Sequence, residues 1–108
     1  MLNMTDGGSA DTLLAKGRTL AHFGDIEVLV VRTRRGIFAV ENRCPHMVRR
    51  LSDAVVSGRN VICAGHYRRY DLATGRPAGR STSRAPRLRT FDVAVVAGRL
   101  RLAPKGAM

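Results

Sequence analysis

The stretch ENRCPHMVRRL (residues 41–51) sets a cysteine and a histidine one residue apart and follows them with two arginines. The whole chain has two cysteines and three histidines, and the second cysteine also has a histidine close behind it, in CAGHYRRYD (residues 63–71). Cys44-x-His46 is thus followed, after sixteen residues, by Cys63-x-x-His66. Each pair falls at a turn: Cys44-Pro45-His46 follows a predicted strand, and Cys63-Ala64-Gly65-His66 holds a glycine. Two loops that each offer one sulfur and one imidazole can meet across a single site. Two thiolates and two imidazoles suit zinc, or an iron–sulfur centre with mixed ligands. The plainer alternative makes Cys44 and Cys63 small buried hydrophobes with incidental histidines nearby. A single pair would favour that alternative; two pairs at two turns argue against it. The familiar zinc order places both cysteines before both histidines, whereas here they alternate.

Around these loops the chain reads as short strands. IEVLVVR (26–32) is β-branched and free of breakers, TRRG (33–36) is a turn, and IFAVEN (37–42) is the returning strand. LRTFDVAVVAGRLRLAP (88–104) predicts a second hairpin that turns at Ala97-Gly98. Between them, CPHMVRRLSDAVVSG (44–58) is mostly loop, with Ser52 and Asp53 as turn formers, and NVICAG (60–65) is a short strand ending in a turn. HYRRYDLATGRPAG (66–79) holds a strand fragment and a turn at Thr74-Gly75, which Asp71 and Thr74 close. No window carries an apolar helical period; residues 9–22 accommodate one helical turn, and His22 is an ordinary strand or turn residue. The sum is an all-β antiparallel sandwich or small barrel. Residues 1–12, polar with a glycine pair, predict a flexible N-terminal tail, residues 13–104 a single domain, and residues 105–108 a short C-terminal tail.

The 108 residues carry nineteen Lys+Arg, seventeen of them arginine, against eight Asp+Glu, a formal charge of +11. Residues 61–108 alone have ten basic residues and two aspartates. Such a surface favours anionic partners. With neither regularly interleaved aromatics nor a recognition helix, an acidic protein is the better fit than nucleic acid. No apolar run approaches a membrane span or a signal-peptide core, so no membrane partner is expected. A reduced, cytoplasmic setting would leave both thiols available to a metal.

The combined pattern resembles the Rieske [2Fe-2S] motif. The flanks FAVENRCPHM, LSDAVV and YDLATGR agree with it, and the likeness runs from about Thr19 to Leu102. It is similar above all to small Rieske-type ferredoxins. The resemblance implies a [2Fe-2S] cluster with Cys44 and Cys63 on one iron and His46 and His66 on the other. It also implies a sandwich with a small cluster-binding subdomain, at about residues 42–71. Replacing thiolates by neutral imidazoles on one iron makes that iron easier to reduce. The implied function is one-electron transfer to a partner oxygenase or reductase, in an aromatic-ring oxygenase or nitrite-reductase system. The chain would then be an electron-transfer component and not an enzyme by itself. The competing function is a non-redox basic module built around zinc or no metal.

The loops depart from the family's pattern. Val48 stands where a glycine is usual, Gly65 where an aromatic is usual, and Tyr67 where the glycine after the second histidine is usual. In higher-potential members a tyrosine at the position of Tyr70 donates a hydrogen bond to a ligand sulfur. The serine that accompanies it there is replaced by Arg68. Tyr70, Tyr67 and Gly65 are therefore expected around the cluster. Arg49, Arg50, Arg68 and Arg69 flank the two histidines and would steer an acidic redox partner.

Overall fold

In the computed structural model, which describes residues 4–45, 49–63, 68–78 and 87–105, the apolar run Ile26–Thr33 forms β3 and the return Gly36–Glu41 forms β4. They pair antiparallel in unbroken register from Val28↔Glu41 to Thr33↔Gly36. Val28, Leu29, Val30 and Val31 are all at most 1% exposed, so β3 is covered on both faces. That is why its sequence reads as a continuous apolar run and not as an alternation. One face, Leu29 and Val31, belongs to a core with Val40, Leu51, Val61, Tyr70 and Leu72. The other, Val28 and Val30, belongs to a core with Leu13, Ala39, Phe91, Leu100 and Leu102.

The second core lies inside a six-stranded antiparallel sheet. Its other strands are β1 (Thr5–Ser9), β2 (Arg18–Phe23), β8 (Thr90–Val96) and β9 (Arg99–Pro104), in the order β1-β9-β8-β4-β3-β2. The sheet curls until its two edges approach: a Cβ added at Gly7 on β1 would lie 3.5 Å from Ala21 Cβ on β2 and 2.8 Å from Leu102 Cδ1. The six-residue helix α1 (Asp11–Lys16) joins the edges and buries Leu13. The β8–β9 hairpin turns at Ala97-Gly98, as expected, with φ of 52° and 74°. Two positive values are what a two-residue turn matching strand twist requires.

The expectation of a loose tail over residues 1–12 is corrected for its described part, from residue 5 onward. Thr5–Ser9 is a strand paired with β9, and the helix begins at Asp11. Backbone pairing and the close approach at Gly7 hold the segment, so its polar, glycine-rich composition gave no apolar signal. Arg18–Phe23 is likewise a full strand, paired with β3 throughout.

The first core lies between the large sheet and a small one, formed by β5 (Val55–Ser57), β6 (Asn60–Ile62) and β7 (Arg69–Asp71) in the order β5-β6-β7. Val56, Val61 and Tyr70 stand opposite one another in register, which turns Tyr70 into the core. The Arg18 guanidinium links the large sheet to the turn that leads into β5, since its Nη1 donates to the carbonyls of Ser52 at 2.9 Å and Ala54 at 2.8 Å. No helix among the described residues is long and apolar enough to cross a membrane.

The turn after β7 is fixed by Asp71 and Gly75. Asp71 Oδ1 accepts the N–H groups of Ala73 (2.8 Å) and Thr74 (3.0 Å), and Arg59 Nη2 donates to Asp71 Oδ2 at 2.9 Å. Burial alone would raise the Asp71 pKa, but these N–H donors and the Arg59 charge outweigh it and hold the carboxyl below its usual value. Gly75 has φ of 76°, and an added Cβ would sit 1.9 Å from the Leu88 carbonyl oxygen. Both the left-handed backbone and the overlap oppose any side chain. Gly75→Ala is expected to destabilise the fold by about 2–4 kcal/mol, read as a lowered urea midpoint with m unchanged. A shift under about 0.5 kcal/mol would contradict the close approach of Leu88.

Candidate metal centre

Two loops leave the first core and are closed in the same way. Cys44 opens one, and its N–H donates to the Arg49 carbonyl at 2.8 Å. Cys63 opens the other, and its N–H donates to the Arg68 carbonyl, also at 2.8 Å. Each closure spans five positions of chain. Both cysteines are 1% exposed and belong to the same core cluster, and both are thiols, not halves of a disulfide.

Tyr70 lies between them in chemistry. Its ring is 1% exposed, and its hydroxyl is 3.9 Å from Cys44 Sγ, at the long end of hydrogen-bonding reach for sulfur. Its pKa is pushed up to about 12, first by burial and then by the hydrogen bond and charge of Cys44. Arg68 opposes the rise and Cys63 adds to it. A phenol with that pKa stays neutral at any physiological pH and keeps its proton to offer to a thiolate.

The first loop has a clamp that the sequence did not announce. Asn42 is 4% exposed, and its Oδ1 accepts the Leu51 N–H at 2.8 Å, which ties the two ends of the loop together. Asn42 Nδ2 donates to Glu27 Oε1 at 3.0 Å, and its backbone N–H donates to the Glu27 carbonyl at 2.8 Å. Arg50 Nη2 approaches the same Glu27 Oε1 at 3.3 Å. One buried amide therefore fastens both ends of the loop to the start of β3. A polar residue immediately after a buried strand, two places before a cysteine, was the available signal, because a buried amide must find partners.

Of the residues expected at the site, the described part brings Cys44, Cys63 and Tyr70 into one core. Arg49, Arg50, Arg68 and Arg69 are all exposed. Arg50 is tied to Glu27, and Arg69 lies on β7 with its carbonyl accepting the Ala78 N–H at 2.9 Å. His46, Gly65, His66 and Tyr67, and with them Val48, lie outside the described residues. Among the described residues no group of three or more His, Cys, Asp or Glu converges. The donors present fit the sulfur half of a mixed-ligand iron–sulfur centre: two buried thiols, a neutral hydroxyl beside one of them, and backbone-closed loops leading away from both.

Removing the clamp should be costly. Asn42→Ala leaves the Leu51 N–H buried without its acceptor, so a loss of about 2–3 kcal/mol is expected in urea unfolding. Hydrogen exchange at Leu51 should rise more than exchange at Val30. Equal protection at Leu51 in both proteins would show that the amide does not hold the loop.

The Rieske [2Fe-2S] domain family matches residues 7–92, most of the chain. The ferredoxin component of a naphthalene 1,2-dioxygenase system from Pseudomonas aeruginosa is 36% identical over 50 residues, covering 46% of this chain and 48% of that protein. The chain thus spans about half the length of the curated relatives it matches. The ferredoxin of carbazole 1,9a-dioxygenase from Nocardioides aromaticivorans IC177 superposes with a TM-score of 0.77 at 27% identity, covering 94% of this chain and 98% of that one. The Sphingomonas yanoikuyae B1 ferredoxin shares the fold, with a TM-score of 0.73 at 19% identity over 93% of this chain and 97% of that one. Family membership implies a [2Fe-2S]-binding module, which is what the paired buried thiols suit. With the match covering both cysteine loops, the small sheet and most of the chain, the chain belongs to the Rieske [2Fe-2S] domain family.

Proposed function

We propose that the protein is a one-electron carrier, a ferredoxin-like component that feeds a partner oxygenase or reductase. The observation that carries the reading is the pair of thiols, Cys44 and Cys63, each 1% exposed in one core at the base of identically closed loops. The likeness to a dioxygenase ferredoxin over nearly the full length of both chains supports it. We assign the cluster to the segment of about residues 42–71, with Cys44 and Cys63 as ligands to one iron and His46 and His66 as ligands to the other. When bound, a [2Fe-2S] cluster takes up and gives back a single electron.

The chain's own residues set the terms of that exchange. The buried thiolates keep water from the sulfur side. The neutral Tyr70 hydroxyl beside Cys44 Sγ withdraws charge from the sulfur, which favours the reduced, more negative state. The exposed arginines at the loop bases, Arg49, Arg50, Arg68 and Arg69, act in the same direction and attract an acidic redox partner. Gly65 and Tyr67 complete the surroundings assigned to the second loop. A reducing cytoplasm suits two thiols held for a metal.

The reading is tested by anaerobic purification with iron, sulfide and zinc analysis, visible absorption, and EPR of the dithionite-reduced protein. Two irons and two sulfides per chain, with the low average g of mixed ligation, are expected; stoichiometric zinc without a chromophore would overturn it. His46→Cys should lower the reduction potential, since a thiolate replaces a neutral ligand. Tyr70→Phe should retain the cluster and lower the potential by about 20–60 mV, the equivalent of one hydrogen bond of about 0.5–1.5 kcal/mol. An unchanged potential in that variant would remove Tyr70 from the tuning of the site.

A further inference from the structure

Beside the first cysteine loop, Asn42, Arg43, Arg49 and Arg50 line a shallow groove of about 320 Å³. All three arginines are exposed, but their charges are not equally available. Arg50 is engaged by Glu27 at 3.3 Å, and Glu27 is itself held by Asn42. Arg43 and Arg49 have no acidic partner among the described residues. Several of the other cations have internal partners: Arg59 with Asp71, Arg99 with Asp6, Lys105 with Asp92, and Arg18 and Arg32 with backbone carbonyls.

The backbone under the two open arginines is fixed. The Arg43 N–H donates to the Glu41 carbonyl at 2.7 Å, and the Arg49 carbonyl accepts the Cys44 N–H at 2.8 Å. Both guanidinium groups therefore project from anchored positions on either side of Cys44 in the chain. Planar forks in a polar, open depression match carboxylates in two-point contact. Among the described residues no aromatic side chain lines the groove, and none there offers a platform on which a nucleic-acid base could stack.

We propose that this groove is the docking site for a carboxylate-bearing segment of the redox partner. Arg43 and Arg49 make the contacts, and Arg50, held by Glu27, forms a fixed wall. The inference rests on the electron-carrier reading and adds to it an off-centre approach, from the side of the first cysteine loop. It also brings in Arg43, which stands in the chain three residues before His46, as Arg49 stands three after it. An acidic partner that engages this groove sets its own redox group close to the loop that begins at Cys44.

The test uses the full-length, cluster-containing protein and a fluorescein-labelled decaglutamate peptide, followed by anisotropy at low ionic strength. The double substitution Arg43→Glu/Arg49→Glu is expected to weaken binding about tenfold or more. The control, Arg34→Glu/Arg35→Glu, changes net charge equally at the far end of the β3–β4 hairpin, about 20 Å away along six residues of strand. It should change binding less than about twofold, apart from a general effect that added salt removes. The neutral pair Arg43→Gln/Arg49→Gln should lie between wild type and the charge reversal and guards against misfolding. Equal loss in the two reversed variants would overturn the proposal. So would a labelled single-stranded DNA of the same charge that binds more tightly than the peptide and depends on Arg43 and Arg49. Absorption spectra of the same samples separate the two readings. A protein without the iron–sulfur chromophore ends the carrier reading and the docking proposal with it. A protein with the chromophore and no preference for the groove ends the docking proposal alone.

Discussion

Four consecutive side chains of β3, Val28 to Val31, are buried on alternating faces, and the two cores of the protein are the two sides of that one strand. Fully burying each is worth about 1.5–3 kcal/mol, so together they contribute on the order of 6–12 kcal/mol before chain entropy is counted. That is as large as the whole net stability of an ordinary domain. The strand cannot slip by one residue without exchanging the occupants of the two cores. Its register, and through Val28↔Glu41 the position where β4 ends, is consequently rigid.

The site inherits this rigidity through short links. Glu27 precedes the buried run by one residue and receives both the backbone and the side chain of Asn42. Asn42 in turn holds Leu51, so the first loop is anchored at both ends to the strand that divides the cores. On the other side, the row Val56–Val61–Tyr70 carries the tyrosine hydroxyl to Cys44 from a different sheet. Arg18 of β2 caps two carbonyls of the 51–54 turn, which ties the large sheet to the segment that leads into β5.

How far the sequence reveals this depends on where each signal is stored. The two hairpins were readable because their information is local: an apolar run, a turn dipeptide, a second run. Strand β1 was not. Asp6-Gly7-Gly8-Ser9 has no apolar residue, and it becomes a strand only because β9 lends it a backbone partner and Leu102 closes over Gly7. The Cys-x-His and Cys-x-x-His spacing pointed to paired loops, and Cys44, Cys63 and Tyr70 do share one core. The Asn42–Glu27 clamp joins residues fifteen apart, which only the β3–β4 register brings together, and so it escaped a reading by pattern. Arg50 differs from Arg49 for the same reason: its neighbour Glu27 comes from another strand.

The loop closures carry a consequence for how such a protein can diverge. Each closure is made by a cysteine N–H and an arginine carbonyl, atoms that every residue but proline supplies in the same form. The base of each loop is therefore indifferent to the side chains strung between its ends. A lineage can exchange residues there, including the family's customary glycine for Val48 or Tyr67, while the two cysteines stay where the core puts them. Apart from the proposed ligands His46 and His66, the positions between the ends become the part of the molecule open to drift, and the bases the part that keeps sulfur in register with sulfur.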